Sequence, residues 1–417
     1  MGQYIIEGGN RLSGSVRVQG SKNSALPILA ATVAVGVPCI IHNCPDLSDI
    51  SSTVRILRSL GCEVQRSCNT VSVDPSRISA NCITDSLMQE MRSSIIFLGA
   101  LISATGEAVI TAPGGCDIGL RPIDLHLKAM QKLGVKITET HGQIKCTCKR
   151  VRGNKITLSF PSVGATENII LASVRASGTT TIINAAREPE IVDLAMFLNS
   201  CGARISGAGD STIVIEGVER LFPVQYAIMP DRIVACTYMA AAAVTGSSII
   251  VEEIIPSHLV PVFSCFEQSG CRIEVSGSKI RITAPQRLSS METIRTMPYP
   301  GFPTDCQALM MTVASTADGV TLINENIFEN RFRHVAQLNR MGADIRVHDK
   351  IAVVKGVKGL QGAHVNSTDL RAGAALVLAG LCADGITTVN SIHYIDRGYD
   401  SLSDKLSSLG ANIKRKD

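Results

Sequence analysis

Three stretches of the chain are apolar on nearly every side of the helix that their composition predicts. They are ALPILAATVAV at 25–35, IVACTYMAAAAV at 233–244 and AGAALVLAGLCA at 372–383. A helix without a polar face must be buried on all sides. Other segments, such as TIVIEG at 212–217 and KIRITA at 279–284, alternate apolar and polar residues and predict strands with one face in water. The pattern therefore predicts helices inside and sheets outside, the reverse of an ordinary α/β domain.

Glycines recur in two series that run in step along the chain. One series follows the amphipathic helical patterns of SLGCEV, KLGVKI, SCGARI, QSGCRI, RMGADI and SLGANI, at Gly61, Gly134, Gly202, Gly270, Gly342 and Gly410. The other lies 23 to 28 residues earlier, where each buried helix is expected to end on a glycine C-cap, at Gly36, Gly106, Gly178, Gly246, Gly319 and Gly385. Because the first series recurs at intervals of 68 to 73 residues, the sequence predicts six copies of one βαβαββ-type unit.

The last unit lacks one hairpin strand, and the start of the chain offers a substitute. IIEGGNRLSG at 5–14 resembles the hairpin strands at 215–223 and 354–362, so the N-terminal strand pair is expected to complete the last repeat. Three repeats then form one domain at 21–229, and the other three form a second domain from 1–20 plus 230–417. The chain crosses between these domains twice, near Gly20 and Pro230, which predicts a hinge and a cleft where small molecules bind.

Composition excludes several classes of partner. The chain is 45% apolar and 18% charged, and its net charge of +4 is spread without a basic block. Trp is absent, and six Tyr and nine Phe leave little for base stacking, so nucleic acid is not an expected partner. Glycines interrupt the apolar stretches before they reach the roughly 20 residues of a bilayer span. No membrane association is expected, and nothing suggests an obligate oligomer, so a monomer is predicted.

The fourteen cysteines are expected to be free thiols in a reduced cytoplasm. No secretory signal precedes the strand-like QYIIEG at 3–8, and the cytoplasm keeps thiols reduced. Cys146 and Cys148 form a C-x-C pair, but no second cysteine or histidine pair stands at metal-ligand spacing. We expect neither a metal nor a cofactor.

The candidate chemistry collects in the loops that lead into helix N-termini, where free N–H groups and the helix dipole attract anions. These loops contain Lys22, Asn23, Arg92, Cys116, Arg121, Ser162, Val163, Gly164, Glu188, Asp231, Arg232, Asp305, Arg331, Asp369, Arg371 and Arg397. Several arginines and one lysine suit a small, highly charged anion, because an Arg fork holds phosphate or carboxylate with two hydrogen bonds. The alternative is that these arginines form salt bridges between the domains, with Asp231, Asp369 and Asp404 as partners.

Two of these loop residues could react. Cys116 lies in the glycine-rich PGGCDIGLRP, near Arg121, which favours the thiolate and a role as nucleophile or acid. The nearest histidine, His126, is expected on the following helix, so a Cys-His pair is unsupported. Asp305 precedes an apolar helix in FPTDCQALMM. It could be an N-cap, or a carboxylate that takes a proton from a substrate hydroxyl, and the sequence leaves both open.

Seven separated motifs resemble the UDP-N-acetylglucosamine enolpyruvyl transferases over essentially the whole chain. They are GSKNSALPILAA, PGGCDIGLRPIDLHL, TIINAAREPEIVD, FPTDCQA, FENRFRHV, TDLRAGAALVLAG and HYIDRGYD. The resemblance implies the family's fold, an inside-out α/β barrel of two domains with three repeated units each. It also implies transfer of the enolpyruvyl group of phosphoenolpyruvate to the 3′-hydroxyl of UDP-N-acetylglucosamine, with release of phosphate.

The resemblance also implies a role for individual residues. Cys116 would add covalently to phosphoenolpyruvate and be the target of the epoxide fosfomycin, and Asp305 would take the proton of the sugar hydroxyl. The phosphate would be held by Lys22, Arg121 and Arg397, and the carboxylate, or closure, would involve Arg331 and Arg371. The remaining substrate contacts would come from Asn23, Arg92, Arg121, Pro122, Ile123, Asp124, Leu125, Ser162, Val163, Gly164, Glu188, Asp305, Ile327 and Asp369.

The sequence departs from the family's pattern at two places, and two alternative functions remain open. Some members of the family have lysine where this chain has Phe160-Pro161, which puts one contact to the nucleotide phosphates in doubt, and some have Trp where this chain has Ile96. The nearest rival activity is that of 5-enolpyruvylshikimate-3-phosphate synthase, which shares the fold and phosphoenolpyruvate. A second rival is a non-catalytic paralogue that binds a nucleotide sugar and regulates wall synthesis.

Overall fold

The computed structural model describes residues 2–114, 118–119 and 122–417. This part of the chain folds into two compact units. Unit 1 contains 2–19, 118–119 and 230–417, and unit 2 contains 20–114 and 122–229. The prediction of two domains joined by a hinge stays a prediction, and each unit is described by itself.

Helices and short strands alternate along both units. The α-helices are α1 (Lys22–Val35), α2 (Ser48–Ser59), α3 (Asp85–Glu90), α4 (Phe97–Thr105), α5 (Asp124–Lys132), α6 (Val163–Ser173), α7 (Pro189–Ser200), α8 (Arg232–Val244), α9 (Val260–Gln268), α10 (Thr304–Ser315), α11 (Val335–Arg340), α12 (Leu370–Cys382) and α13 (Leu402–Ser408). Short 3₁₀ helices span Arg92–Ile96, Pro256–Leu259 and Ile392–Arg397. The strands are β1 (Gln3–Glu7), β2 (Ser15–Arg17), β3 (Cys39–His42), β4 (Glu63–Ser67), β5 (Thr70–Asp74), β6 (Glu107–Thr111), β7 (Lys136–Thr140), β8 (Gln143–Thr147), β9 (Lys155–Thr157), β10 (Thr179–Ile183), β11 (Arg204–Ser206), β12 (Thr212–Glu216), β13 (Val224–Ala227), β14 (Ser248–Glu252), β15 (Arg272–Ser276), β16 (Lys279–Thr283), β17 (Thr293–Arg295), β18 (Val320–Asn324), β19 (Asp344–His348), β20 (Ile351–Lys355), β21 (Leu360–Gln361), β22 (His364–Asn366), β23 (Ala383–Asp384), β24 (Ile386–Asn390) and β25 (Asn412–Lys416).

One sheet pattern recurs six times and confirms the predicted repeat. In the order β9-β10-β12-β11, an edge strand runs parallel to its neighbour and the other two pairings are antiparallel. The same order appears in β13-β3-β5-β4, β2-β14-β16-β15, β17-β18-β20-β19 and β22-β24-β1-β25. In β6-β8-β7 the parallel edge is reduced to a single bridge between Cys82 and Val109.

The N-terminal strands do not stay together as a pair. β1 pairs antiparallel with both β24 and β25, which confirms that the start of the chain completes the last repeat. β2 instead pairs in parallel with β14 in the fourth repeat, so the prediction is wrong for this second strand. The edge strands of the first and fourth repeats are exchanged along the chain: β2 precedes the first repeat but pairs with β14, and β13 precedes the fourth repeat but pairs with β3. Each of the two strands therefore completes a sheet within its own unit.

The core of each unit is built from the apolar helices. In unit 2 α1, α4 and α6 contact one another, and in unit 1 α8, α10 and α12 do. Every residue of the segment 233–243 in α8 is buried, whereas β16 alternates exposed and buried positions along KIRIT. This confirms helices inside and sheets outside. The described strands form separate sheets, none of which closes into a barrel.

All twelve glycines of the two series adopt positive φ, between 59° and 108°. Only Gly36 and Gly106 directly cap a buried helix. The C-cap prediction is wrong for the other four of that series, because α6, α8, α10 and α12 end up to five residues before the glycine. There the glycine supplies the left-handed turn that leads into the next strand. In the described parts of the chain, no helix has the length and apolar character of a bilayer crossing.

Candidate functional site

Asp305 lies in the first turn of α10, and its carboxylate forms salt bridges with two arginines. Arg331 Nη2 lies 2.7 Å from Asp305 Oδ1, and Arg371 Nη2 lies 3.2 Å from Asp305 Oδ2. The N-cap of α10 is Pro303, and no side chain caps this end. The alternative that Asp305 is an N-cap is therefore wrong, because its carboxylate is directed to guanidinium groups.

The arginines are deeply buried, whereas the carboxylate between them reaches solvent. The side chains of Arg331 and Arg371 are 4% and 3% exposed, and that of Asp305 is 28% exposed. Burial alone would lower the pKa of Arg371, but the charges of Asp305, Tyr399 and Asp231 raise it above its ordinary value. Arg371 therefore stays charged, and Asp305 is the accessible end of a buried ionic group.

Asp369 fixes the second arginine through the backbone. It is the N-cap of α12, and its Oδ1 accepts hydrogen bonds from the amides of Arg371 and Ala372 at 3.0 and 3.1 Å. The same oxygen lies 3.9 Å from Arg331 Nη1. The structure thus brings together four of the predicted residues, because the loops that end at α10 and α12 lie beside the loop that follows β18.

Arg331 and Arg371 have buried N–H donors that are not used in hydrogen bonds. Within the described residues, Arg331 Nε and Arg371 Nε and Nη1 are buried and have no hydrogen-bond acceptor. The Tyr399 ring centre lies 5.5 Å from Arg371 Cζ, and the Phe328 ring centre lies 5.8 Å from Arg331 Cζ. Buried donors normally have partners, so this site is suited to an anion that supplies acceptors, such as a carboxylate.

Glu325 anchors the loop that carries Ile327 and Arg331. This buried carboxylate follows β18, and its Oε1 accepts hydrogen bonds from Thr296 Oγ1 and from the amides of Ile327 and Phe328 at 2.9 to 3.1 Å. Its Oε2 accepts one from Thr304 Oγ1 at 2.9 Å, next to Asp305. Glu325 therefore ties the loop to the N-terminus of α10.

Unit 2 contains a second group of predicted residues around Lys22. Its Nζ lies 3.1 Å from Asp49 Oδ2, and both side chains are largely buried, at 11% and 5% exposed. Lys22 is the first residue of α1 and Asn23 follows it, whereas Asp49 is in the first turn of α2. The pairing holds the lysine at the N-terminal end of α1.

His126 connects two other predicted segments, 122–125 and 162–164. It lies in α5 and accepts a hydrogen bond at Nδ1 from Asn168 Nδ2 at 2.7 Å, with the Asn amide orientation assigned from this network. A Cβ on Gly164 would lie 3.1 Å from its ring, a tight contact that glycine avoids. Burial, and then the charge of Arg92, lower the pKa of His126 to about 4, so it is neutral at neutral pH.

Unit 2 also contains a cavity of about 590 Å³ that lies away from the predicted site residues. It is lined by Ser103 in the last turn of α4, by Arg175 just after α6 and by Arg150 in the segment after β8, among others, and by none of the predicted site residues. Helix C-termini favour cations, and Arg150 and Arg175 supply them. Within the described chain no group of His, Cys, Asp and Glu side chains could hold a metal ion.

Comparison with known proteins assigns the family. A family model described as EPSP synthase (3-phosphoshikimate 1-carboxyvinyltransferase) matches residues 6–406. The chain belongs to this family. It is 52% identical to UDP-N-acetylglucosamine 1-carboxyvinyltransferase 2 of Caldanaerobacter subterraneus subsp. tengcongensis, over 100% of both chains. It is 45% identical to UDP-N-acetylglucosamine 1-carboxyvinyltransferase of Myxococcus xanthus, over 100% of this chain and 99% of that protein.

Solved structures of an enolpyruvyl transferase and of an EPSP synthase share the fold of this chain. The enolpyruvyl transferase NikO from Streptomyces tendae superposes with a TM-score of 0.90 at 28% identity, over 100% of this chain and 99% of that one. An EPSP synthase from Acinetobacter baumannii superposes with a TM-score of 0.76 at 19% identity over 100% of both chains, a likeness of fold alone. These findings confirm the predicted α/β enolpyruvyl transferase fold and an enzyme of this class.

Two predicted residues of this EPSP synthase family member, Cys116 and Arg121, lie outside the described residues. The thirteen other cysteines are free, and burial raises the pKa of Cys44 and Cys62 to about 12. Such thiols stay protonated and unreactive at neutral pH. Arg397, half-buried, ends a 3₁₀ helix in unit 1.

Three residues that contact predicted site residues, or the segments that carry them, were not identified from the sequence. Asp49 and Glu325 are single acids beside helix starts, where an acid usually complements the helix dipole. His126 was considered only as a remote neighbour of Cys116. The only signal in the sequence was that each of them is a charged or polar residue close to a predicted loop or helix start. The group that each one contacts could not be known before the fold.

Three carboxylates of unit 2 lie close together, and one of them is the predicted Glu188. Glu167, in α6, and Glu190, at the start of α7, are both 3% exposed. Burial raises the pKa of Glu167 well above its ordinary value, and the charges of Glu190 and Glu188 raise it further. Glu167 is therefore a neutral acid at pH values where most carboxyls are ionised.

The substitution Glu167→Gln is expected to flatten the dependence of stability on pH. A carboxyl whose pKa is raised by folding binds a proton on folding, so stability is full below the unfolded value near 4.5 and falls as the pH rises through the folded value. The fall is at most about 1.4 kcal/mol per pH unit. Melting temperatures from pH 4 to 9 should show the variant gaining on the parent as pH rises. Glu139→Gln, an exposed change in β7, is the control, and parallel curves for parent and variant would contradict the assignment.

Proposed function

We propose that the protein transfers the enolpyruvyl group of phosphoenolpyruvate to the 3′-hydroxyl of UDP-N-acetylglucosamine and releases phosphate. The full-length identity of 45–52% to proteins with the corresponding name carries this proposal. The geometry around Asp305 is compatible with it, because an accessible carboxylate lies beside buried cations with unused donors. In the cell this would be the first committed step of peptidoglycan synthesis, in the cytoplasm, without nucleic acid or membrane partners and by a monomer.

The residue roles follow the chemistry of the reaction. Asp305 accepts the proton of the sugar hydroxyl as that oxygen bonds to C2 of phosphoenolpyruvate, while C3 takes up a proton and the C2–C3 double bond becomes single. The C2–O bond to phosphate then breaks, and loss of a proton from C3 restores the double bond. Arg331 and Arg371 bind the carboxylate, and preorganised cations are effective because they need no rearrangement as charge develops. The phosphate is bound by Lys22, Arg121 and Arg397. In a separate adduct, the sulfur of Cys116 bonds to C2 of phosphoenolpyruvate and C3 takes up a proton, so that the C2–C3 double bond becomes single.

The sugar nucleotide is assigned to residues in or near the loops that lead into helices, most of them in unit 2. Arg92 donates a hydrogen bond from Nη1 to Pro113 O at 3.1 Å, and Ser162 caps α6 by accepting one from the Ala165 amide at 3.3 Å. The further contacts are assigned to Asn23, Pro122, Ile123, Asp124, Leu125, Val163, Gly164, Glu188, Asp305, Ile327 and Asp369. Phe160 is 45% exposed next to this group. Because the resemblance implies a lysine at or beside this position in some members of the family, we propose that binding here depends less on phosphate charge.

The deciding experiment measures release of inorganic phosphate from phosphoenolpyruvate with either UDP-N-acetylglucosamine or shikimate 3-phosphate as acceptor. We expect turnover when UDP-N-acetylglucosamine is the acceptor and none when shikimate 3-phosphate is. Fosfomycin should inhibit this turnover and increase the mass of the parent protein by covalent labelling, and Cys116→Ser should not be labelled. Cys68→Ser, a change at an exposed thiol, is the matched control and should still be labelled. Turnover with shikimate 3-phosphate would establish the rival transferase, and nucleotide-sugar binding without phosphate release would establish the non-catalytic paralogue.

A further inference from the structure

A buried glutamine at the end of the first connecting segment holds the loop after Arg397. Gln19 follows β2 and is 6% exposed. Its side-chain Nε2 donates a hydrogen bond to Gly398 O at 3.2 Å, and its Oε1 accepts one from the Asp400 amide at 2.8 Å. One amide thus satisfies a carbonyl and an N–H group almost 380 residues away along the chain.

The backbone beneath this side chain is firmly supported. The Asp231 amide donates a hydrogen bond to Gln19 O at 2.9 Å, and the Val18 amide donates one to Glu252 O at 3.0 Å. Asp231 is itself the N-cap of α8, where its Oδ1 accepts hydrogen bonds from Ile233 and Val234. The glutamine therefore extends from a fixed point on the sheet and on the buried helix.

The loop that Gln19 holds is closely packed but locally strained. A Cβ on Gly398 would lie 2.7 Å from Leu370 Cδ2, so the Leu370 side chain would have to shift to admit one. Ser391 and Ser401, on either side of the segment, have φ of 58° and 51°, which is unfavourable for residues with a side chain. Such a conformation persists only where surrounding contacts determine it, and the two Gln19 hydrogen bonds are such contacts.

The held segment carries two side chains of the site. Gly398 and Asp400 flank Tyr399, which is 3% exposed and whose hydroxyl lies 2.9 Å from Thr237 Oγ1 in α8. The Tyr399 ring packs beside Arg371. Arg397 directly precedes Gly398. A shift of the 398–400 backbone would therefore move Arg397 and remove the ring that supports Arg371.

We infer that Gln19 is a positioning residue that fixes Arg397 and Tyr399 through the backbone of Gly398 and Asp400. The catalytic consequence rests on the proposed function, in which Arg397 binds the phosphate of phosphoenolpyruvate. Only an amide fits, because it donates to one group and accepts from the other. Glutamate keeps the acceptor but places a carboxylate against Gly398 O, and methionine, of similar length, loses both hydrogen bonds.

The test combines amide exchange and steady-state kinetics on Gln19→Met and Gln19→Glu, with Gln143→Glu, an exposed change in β8, as control. In Gln19→Met the peptide containing Asp400 should exchange about tenfold faster, the scale of one lost hydrogen bond. Its KM for phosphoenolpyruvate should rise about tenfold with a smaller change in kcat, and the KM for the sugar nucleotide should not change. Gln19→Glu should keep most of the Asp400 protection but show a raised KM for phosphoenolpyruvate.

Each outcome decides a separate point. Unchanged exchange at Asp400 in Gln19→Met overturns the inference, whatever the kinetics. Faster exchange with an unchanged KM for phosphoenolpyruvate shows that Gln19 holds the loop without positioning Arg397, and so overturns the catalytic part. If the parent releases no phosphate from phosphoenolpyruvate, the proposed function fails, and the exchange measurement still decides whether Gln19 holds the loop. If Gln19→Met does not fold, Gln19→Glu supplies the comparison, and identical exchange and KM in that variant and the parent would overturn the inference.

Discussion

Replacing Asp305 with asparagine is expected to lower kcat by at least about a hundredfold, the scale of a lost general base, while UDP-N-acetylglucosamine still binds measurably. The asparagine amide keeps the shape of the carboxylate but cannot take the proton of the sugar hydroxyl at neutral pH. Calorimetric titration of the sugar nucleotide and phosphate release at saturating substrate separate binding from turnover. Full activity in the variant would remove Asp305 from the mechanism.

A second consequence of Asp305→Asn concerns stability. Arg331 and Arg371 would lose the carboxylate that lies 2.7 and 3.2 Å from them, and removal of one partner leaves buried charge uncompensated. The melting temperature should therefore fall. The control Asp404→Asn changes an exposed acid in the first turn of α13 and should alter neither turnover nor melting. A lower melting temperature at unchanged kcat would show that Asp305 has a structural role only.

The sequence was sufficient to predict the architecture because one pattern is repeated six times. Apolar stretches such as 233–244 have no polar face, so their burial followed without knowledge of their neighbours. The pairing of β2 with β14 was not predictable in the same way. β2 is three residues long, and its place is set by a backbone partner about 235 residues away rather than by its side chains.

The site was predictable residue by residue but not as contacts. The loop positions of Asp305, Arg331 and Arg371 follow from their places beside helix starts and strand ends. Which arginine meets which oxygen depends on the packing of three loops far apart in sequence. Gln19 shows the limit most clearly, because a lone glutamine after a short strand carries no signal of the backbone groups that it binds.

Replacing Arg371 with lysine is expected to lower kcat/KM for phosphoenolpyruvate by about a hundredfold to a thousandfold, the scale of one lost preorganised donor. Lysine keeps the charge, but it lacks the planar fork that places one nitrogen on Asp305 Oδ2 and leaves Nε and Nη1 for an anion. It also fills less of the space beside Tyr399. The change should appear mainly in kcat/KM for phosphoenolpyruvate and not in the KM for the sugar nucleotide, because no sugar-nucleotide contact is assigned to Arg371.

The measurement for Arg371→Lys is the dependence of phosphate release on each substrate in turn, with the melting temperature recorded in parallel. Arg346→Lys, at a side chain 79% exposed in β19, is the matched control and should retain the parent kinetics. If the charge alone were needed, Arg371→Lys would keep kcat/KM within a few-fold of the parent, and the guanidinium geometry would have no catalytic part. A comparable loss in the KM for the sugar nucleotide would instead indicate that the whole Asp305 group had shifted, since Arg371 and Arg331 share that carboxylate.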